Sequence, residues 1–190
     1  MSLILPKVEA ILPKVEAILP KVEAILPKVE AILAVDLENG LAKNGKIPWK
    51  SKKDLQFFKD TTINHTVIMG STTLLSLPNG QPLKNRTNIV LTNNKEKYLN
   101  IYKNVKNLYF LRLDETIQVI KNNITDKFFI IGGSQIYNLL LPYCSCIWLT
   151  KMKHAYNCNL KFDFPSVIIS TYTRELIYED AELEIICLRI

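Results

Sequence analysis

The chain has 190 residues, with 24 Lys and Arg against 18 Asp and Glu, a formal net charge of +6 and 48% hydrophobic residues. That length serves one compact domain with or without an extension, and the composition excludes a wholly disordered chain. No apolar run reaches the roughly 18–20 residues of a membrane span. The densest positive piece, Lys50 to Lys53, holds only three lysines, so no nucleic-acid partner is expected; the start at Met1 lacks the basic-then-apolar pattern of a secretory signal.

From Ile4 to Ala31 the unit Ile-Leu-Pro-Lys-Val-Glu-Ala occurs four times without a break. Pro6, Pro13, Pro20 and Pro27 exclude a long helix, because each costs ~3 kcal/mol in a helix interior. Only the fourth copy continues as Ala34-Val35; in any earlier copy a proline stands in the place of Ala34 and removes a ladder donor. Residues 1–27 are therefore expected to be a loose extension and residues 28–190 the folded domain.

Beyond the repeat, strands are predicted at Val29–Val35, Thr66–Gly70, Asn88–Thr92, Asn107–Leu111, Lys127–Ile131, Cys146–Lys151, Ser166–Tyr178 and Glu182–Arg189. Helices are predicted at Lys52–Thr62, Thr72–Leu77, Asp114–Asn122 and Ser134–Leu141. The alternation implies an α/β fold: a three-layer sandwich around a mostly parallel eight-stranded sheet, closed by an antiparallel C-terminal edge hairpin. Cys144, Cys146, Cys158 and Cys187 lack zinc-site spacing, and His65 and His154 lie far apart in sequence, so free thiols and no metal are expected.

Several segments carry candidate chemistry. Gly40 to Trp49 mixes two glycines with Pro48-Trp49 and reads equally as a lid over a site or as a packed surface loop. Asp54 is the one acid among Leu55, Phe57 and Phe58. Taken alone, Ser51-Lys52-Lys53-Asp54 is better read as a helix capping box than as a buried catalytic carboxyl. Ile131-Gly132-Gly133-Ser134-Gln135 runs from a buried strand into a helix through bare backbone, and Gly70-Ser71-Thr72-Thr73 repeats the arrangement; both suit phosphate. Arg86 is able to grip a carboxylate bidentately, although a surface arginine is the commoner reading.

In order and spacing, these blocks resemble the dihydrofolate reductase family. The matching pieces are Leu33-Ala34-Val35, Gly40 through Trp49, Asp54-Leu55-Gln56-Phe57-Phe58, Val67-Ile68-Met69-Gly70, Thr73 and Pro82 through Arg86. Ile131 through Tyr137, Thr150 and Phe164-Pro165 complete the set. The resemblance spans about Val29 to Ile190 and reverses the capping preference for Asp54.

It implies that Asp54, with Trp49 and Thr150, promotes protonation of the pterin of dihydrofolate while NADPH delivers hydride. It places Ile32, Leu33, Leu55, Phe58, Leu77, Leu83 and Ile131 around that substrate, with Arg86 on its glutamate carboxylate. The cofactor set it implies is Ala34, Leu41, Gly45, Gly70, Ser71, Thr72, Thr73, Thr92, Asn93 and Ile131, continuing through Gly132, Gly133, Ser134, Gln135, Ile136 and Tyr137. Ala42 to Trp49 becomes a mobile lid, and the protein a cytoplasmic monomer supplying tetrahydrofolate for one-carbon and thymidylate synthesis.

Ser71 and Asn93 replace residues that are commonly basic against the adenosine 2′-phosphate, and Lys95 is expected to compensate in part. Ala42 stands for a common glycine, and the usual acid before Phe164-Pro165 is shifted to Asp163 or lost. The rivals are a same-fold reductase acting on another pterin or a riboflavin precursor, and a non-catalytic folate- or nucleotide-binding module.

Overall fold

The computed structural model describes residues 29–123 and 126–189, so the expected extension at 1–27 lies outside the described residues. The elements run β1 (Val29–Val35), β2 (Gly40–Ala42), α1 (Lys52–Thr62), β3 (Thr66–Gly70), α2 (Ser71–Ser76), β4 (Thr87–Leu91), α3 (Lys95–Ile101), β5 (Leu108–Leu111) and α4 (Leu113–Asn122). They continue as β6 (Phe128–Ile130), α5 (Ser134–Leu140), β7 (Cys146–Met152), β8 (Leu160–Lys161), α6 (Ser166–Thr171), β9 (Thr173–Glu179) and β10 (Leu183–Arg189). Among the described residues no helix is long and apolar enough to cross a membrane.

One eight-stranded sheet has the order β5-β4-β3-β6-β1-β7-β10-β9. Its pairings are parallel from β5 through β7 and antiparallel at β7–β10 and β10–β9, which is the predicted architecture. Both faces are covered. Val29, Ala31, Leu33 and Val35 of β1 enter one apolar cluster with Ile117, Ile120 and Leu140, whereas Ile32 enters another with Met69, Leu74 and Phe129. This alternation is the period-two signature of a strand buried on both sides.

The strand that forms is the one whose continuation suits its neighbours. Ala34 pairs with Thr150 and Val35 with Lys151 of β7. Val35 is fully buried. Asp36 then ends the strand: its Oδ1 accepts from the amides of Gly40 (2.7 Å) and Glu38 (2.9 Å), and its Oδ2 from that of Tyr156 (2.8 Å). In an earlier copy these three places fall to proline, lysine and valine, which forfeits a ladder donor, buries a cation and removes the acceptor of three amides.

Three features depart from the sequence reading. The predicted strand Ser166–Tyr178 is a short helix, α6, followed by β9. Its partner β10 is only seven residues long, so only Thr173–Glu179 finds a ladder. The run left without a partner coils after Pro165, with Ile168 in the core. Helix α3 carries a single buried side chain, Tyr98, too weak a pattern to detect, and is capped by Asn94. The third is a small separate sheet of β2 with β8, strands of three and two residues that are too short to show a period in the sequence. Other boundaries shift by one residue or so, as element ends do.

We propose that residues 1–27 are an addition to a domain spanning 28–190. Deleting residues 4–24, which leaves one complete unit running into β1, is expected to keep a single cooperative melt with Tm within about 2 °C of the full chain. Loss of the transition in a calorimetric scan would instead make the extension part of the fold.

Candidate active site

Asp54 sits in the first turn of α1, where Ser51 is the N-cap and its Oγ accepts from the Asp54 amide at 3.3 Å. That is half of the expected capping box. The carboxylate turns away from the helix start and accepts from Trp49 Nε1 at 3.3 Å and from the Thr150 hydroxyl. All three residues are buried. Burial raises the Asp54 carboxyl above its ordinary range; the Thr150 and Trp49 hydrogen bonds pull it back, and the charge of Glu182 adds to the rise. Glu182, in the β9–β10 turn, accepts from Ser51 Oγ at 3.1 Å. Nothing in the local sequence points to Glu182, which lies 128 positions from Asp54 along the chain.

The face of α1 that carries Asp54 continues through Phe58 to Thr62 at intervals of four residues, so acid and threonine lie roughly 12 Å apart along the axis. There the Thr62 Oγ1 accepts from Arg86 Nη1 at 2.9 Å, and Arg86 lies over the Phe58 ring at 5.8 Å. Arg86 is half-buried, which lowers its pKa from the usual value. Its loop is fixed by Asn88, a fully buried side chain whose Nδ2 donates to the carbonyls of Leu83 and Arg86 (3.0 Å each) and whose Oδ1 accepts from the Leu83 amide. The sequence reading saw Asn88 only as the first residue of a strand.

Ile32, Phe58, Leu77, Leu83 and Ile131 come together in one apolar cluster against this face. Leu55 stays largely exposed next to Asp54. Leu33 does not join them: its side chain packs in the core on the other face of β1, which leaves only its backbone for a ligand.

A cavity of about 390 Å³ opens beside this cluster, across the C-terminal ends of the central strands. It is lined by Ala34, Leu41, Gly45, Gly70, Ser71, Thr72, Thr73, Ile131, Gly133, Ser134, Gln135, Ile136 and Tyr137, all expected there. Ala42, Lys46, Ile47, Ser76, Leu91 and Leu160 complete the lining. Thr92, Asn93 and Gly132 do not line it. Thr92 and Asn93 follow Leu91, and Gly132 lies beneath, its carbonyl accepting from the Gly70 amide at 2.7 Å. Gly132 has φ +106°, and a Cβ there would meet the Tyr137 ring at 2.9 Å, so no other residue fits. The Gly132–Gly133 peptide is cis.

Lys95 does not face the cavity as a free cation. Its Nζ lies 2.7 and 3.0 Å from the two carboxylate oxygens of Glu115. The segment from Gly40 to Trp49 is held at its base, where Gly40 has room for no side chain: a Cβ would stand 2.4 Å from that of Cys158. Positive φ falls on Asn39, Asn44 and Gly45 rather than on Ala42, so the alanine replaces glycine without strain. Asp163 is exposed. Among the described residues no three His, Cys, Asp or Glu side chains are grouped as a metal would require.

The cavity suits a dinucleotide cofactor. Gly70 and Gly133 leave bare backbone in its wall, where even a Cβ on Gly133 would press to 3.2 Å from Thr73 Oγ1. Apolar side chains are available for the rings and hydroxyls for phosphate. Cavity and acid meet across β1, since Ala34 lines the cavity, pairs with Thr150 and packs in the cluster of Trp49. The Tyr137 hydroxyl, also in the lining, donates to the Ile32 carbonyl at 2.8 Å.

A family model described as dihydrofolate reductase matches residues 28–177. The chain is 33% identical over 124 residues to a dihydrofolate reductase of Ureaplasma parvum, covering 65% of this chain and 74% of that one. To a dihydrofolate reductase of Bacillus subtilis it is 31% identical over 129 residues, covering 68% and 71% respectively. A solved structure of dihydrofolate reductase from Enterococcus faecalis, complexed with NADP(H) and RAB-propyl, has TM-score 0.72 at 24% identity and covers 86% of this chain and 96% of that one, a likeness of fold.

The contacts of Asp54 predict opposed shifts. Thr150→Val removes a bond that lowers the carboxyl pKa and is expected to raise it further; Glu182→Gln removes a repelling charge and is expected to lower it. Infrared titration of the carboxyl stretch distinguishes the two. Shifts of the same sign would refute this assignment of causes.

Proposed function

The chain belongs to the dihydrofolate reductase family, and we propose that it reduces 7,8-dihydrofolate to 5,6,7,8-tetrahydrofolate with NADPH, as a cytoplasmic monomer supplying one-carbon and thymidylate synthesis. The observation that carries this reading is the single face of α1 on which a buried acid and, two turns away, a half-buried guanidinium flank an apolar wall. Such a wall matches a ligand with a protonatable ring at one end and a carboxylate at the other. A riboflavin precursor would leave Arg86 without a use.

When bound, the reduced nicotinamide supplies the hydride. Ala34, Leu41, Ile136 and Tyr137 hold its surroundings and keep water out, while Thr73, Gly133 and Ser134 offer hydroxyl and backbone groups to its phosphates. Asp54, its pKa raised by burial, retains a proton to higher pH than an exposed aspartate and promotes protonation of N5 on the pterin, which makes the adjoining C=N bond a better hydride acceptor. Thr150 and Trp49 orient the carboxyl for this task. Ile32, Phe58, Leu77, Leu83 and Ile131 wall the pterin and benzoyl groups, and Arg86 takes the glutamate carboxylate.

Dihydrofolate-dependent oxidation of NADPH by the purified chain tests the reading directly, and a folded protein that gives no turnover would overturn it. Asp54→Asn is expected to lower turnover at neutral pH by about 10²- to 10⁴-fold and to recover in part at acid pH, where solvent protonates the substrate. The same variant is expected to be more stable than the parent at neutral pH. A carboxyl whose folded pKa is raised loses native stability as pH climbs from its unfolded value through the folded one, so the advantage fades below about pH 4.

A further inference from the structure

The two ends of the cofactor cavity are chemically unlike, and the sheet order tells them apart. From β4 through β3 and β6 to β1 the cavity passes Leu91, Gly70, Ile131 and Ala34. Ala34 is the ladder neighbour of Thr150 and so adjoins the acid. Given the dihydrofolate reductase reading, on which this inference rests, the reacting ring belongs at the Ala34 end and the adenosine at the β4 end.

At the β4 end the lining side chains are Ser71, Thr72, Ser76 and Leu91, none of them charged. In the whole lining, among the described residues, the single charged side chain is Lys46. It belongs to the opposite end: Lys43 and Lys46 bridge to each other in the tight turn after β2, which packs beside β1 and pairs with β8. Beyond the β4 end, Lys95 is paired with Glu115 at 2.7 Å, and Arg112 is exposed and follows β5, one strand further out.

Dinucleotide sites commonly choose between the two cofactors with a single charge at the adenosine ribose: a carboxylate that favours the bare hydroxyls, or an arginine that accepts the 2′-phosphate. This cavity has neither, since no Asp or Glu lines it and its only cation stands at the other end. We propose that it does not select on the 2′-phosphate: NADH and NADPH bind with comparable affinity, and Lys46, remote from the adenosine ribose, serves a part of the cofactor that both carry. The hydroxyls of Ser71 and Thr72 satisfy a bare ribose as readily as a phosphorylated one.

The test is an equilibrium titration of the full chain with each reduced cofactor in the absence of dihydrofolate, read by quenching of tryptophan fluorescence, with turnover measured alongside. The two Kd values are expected to lie within about tenfold of each other, and a wider preference for either cofactor overturns the proposal. Ser71→Arg is expected to tighten NADPH by about tenfold and leave NADH unchanged, because it supplies the missing charge-assisted contact. Lys46→Ala is expected to weaken both by the same factor; a loss confined to NADPH would show that Lys46 reads the 2′-phosphate, against the proposal. Turnover with NADPH alone and rejection of NADH would sink this inference and leave the proposed function standing. Equal binding of both without turnover would do the reverse.

Discussion

A carboxylate removed from water must be hydrogen-bonded or must keep its proton, because leaving it bare costs several kcal/mol. Asp54 is the place where this chain meets that constraint. Its two side-chain donors come from different parts of the fold: Trp49 from the loop before α1 and Thr150 from the middle of β7. Its helix is capped by Ser51, which in turn donates to Glu182 at the tip of the last hairpin. The acid therefore cannot be placed until the loop before α1, the helix, the central sheet and the C-terminal hairpin have all docked. The net result is a carboxyl that is satisfied and yet holds its proton more tightly than usual.

The same economy of contact governs the cofactor side. The Tyr137 hydroxyl is buried and donates to the Ile32 carbonyl, and burial together with the charge of Asp54 keeps it protonated. It fills the space above Gly132 where a side chain would stand, so helix α5 can close on the strands and leave an open cavity over them. At the other edge, the Asp36 carboxylate collects three backbone amides. Although burial pushes its pKa up, those donors bring the net value below the ordinary one, and the turn into β2 is fixed as a consequence. The base of the Gly40–Trp49 segment is thus built by one ionised side chain, and its tip by the Asn44-Gly45 turn, whose positive φ angles only such residues adopt readily.

Much of this was legible in the sequence, and the reason differs between levels. Strand and helix periodicity located the central elements because the sheet is apolar on both faces, and most candidate cofactor residues gathered in one cavity because parallel strands present their C-terminal ends on one side. Short elements escaped: β2, β8 and α3 bury too few side chains to leave a period, and the Ser166–Tyr178 run was as β-prone as a true strand until the length of β10 limited its pairing.

What the sequence by itself determined was local: which copy of the repeat continues as a strand, where glycine replaces a side chain, and which acid, arginine and aromatic residues were available. What only the tertiary structure decided was partnership. Local sequence favoured a capping role for Asp54, and only in the fold do Trp49 and Thr150 hold its carboxylate; Lys95 was a free cation until Glu115 lay against it; Leu33 looked like a pocket residue until the pleat turned it into the core. Each of these was settled by a neighbour distant in the chain, or by the face to which the strand turned a side chain. Hydrogen bonds and ion pairs act over a few ångströms of space, a distance that spacing along the sequence does not report.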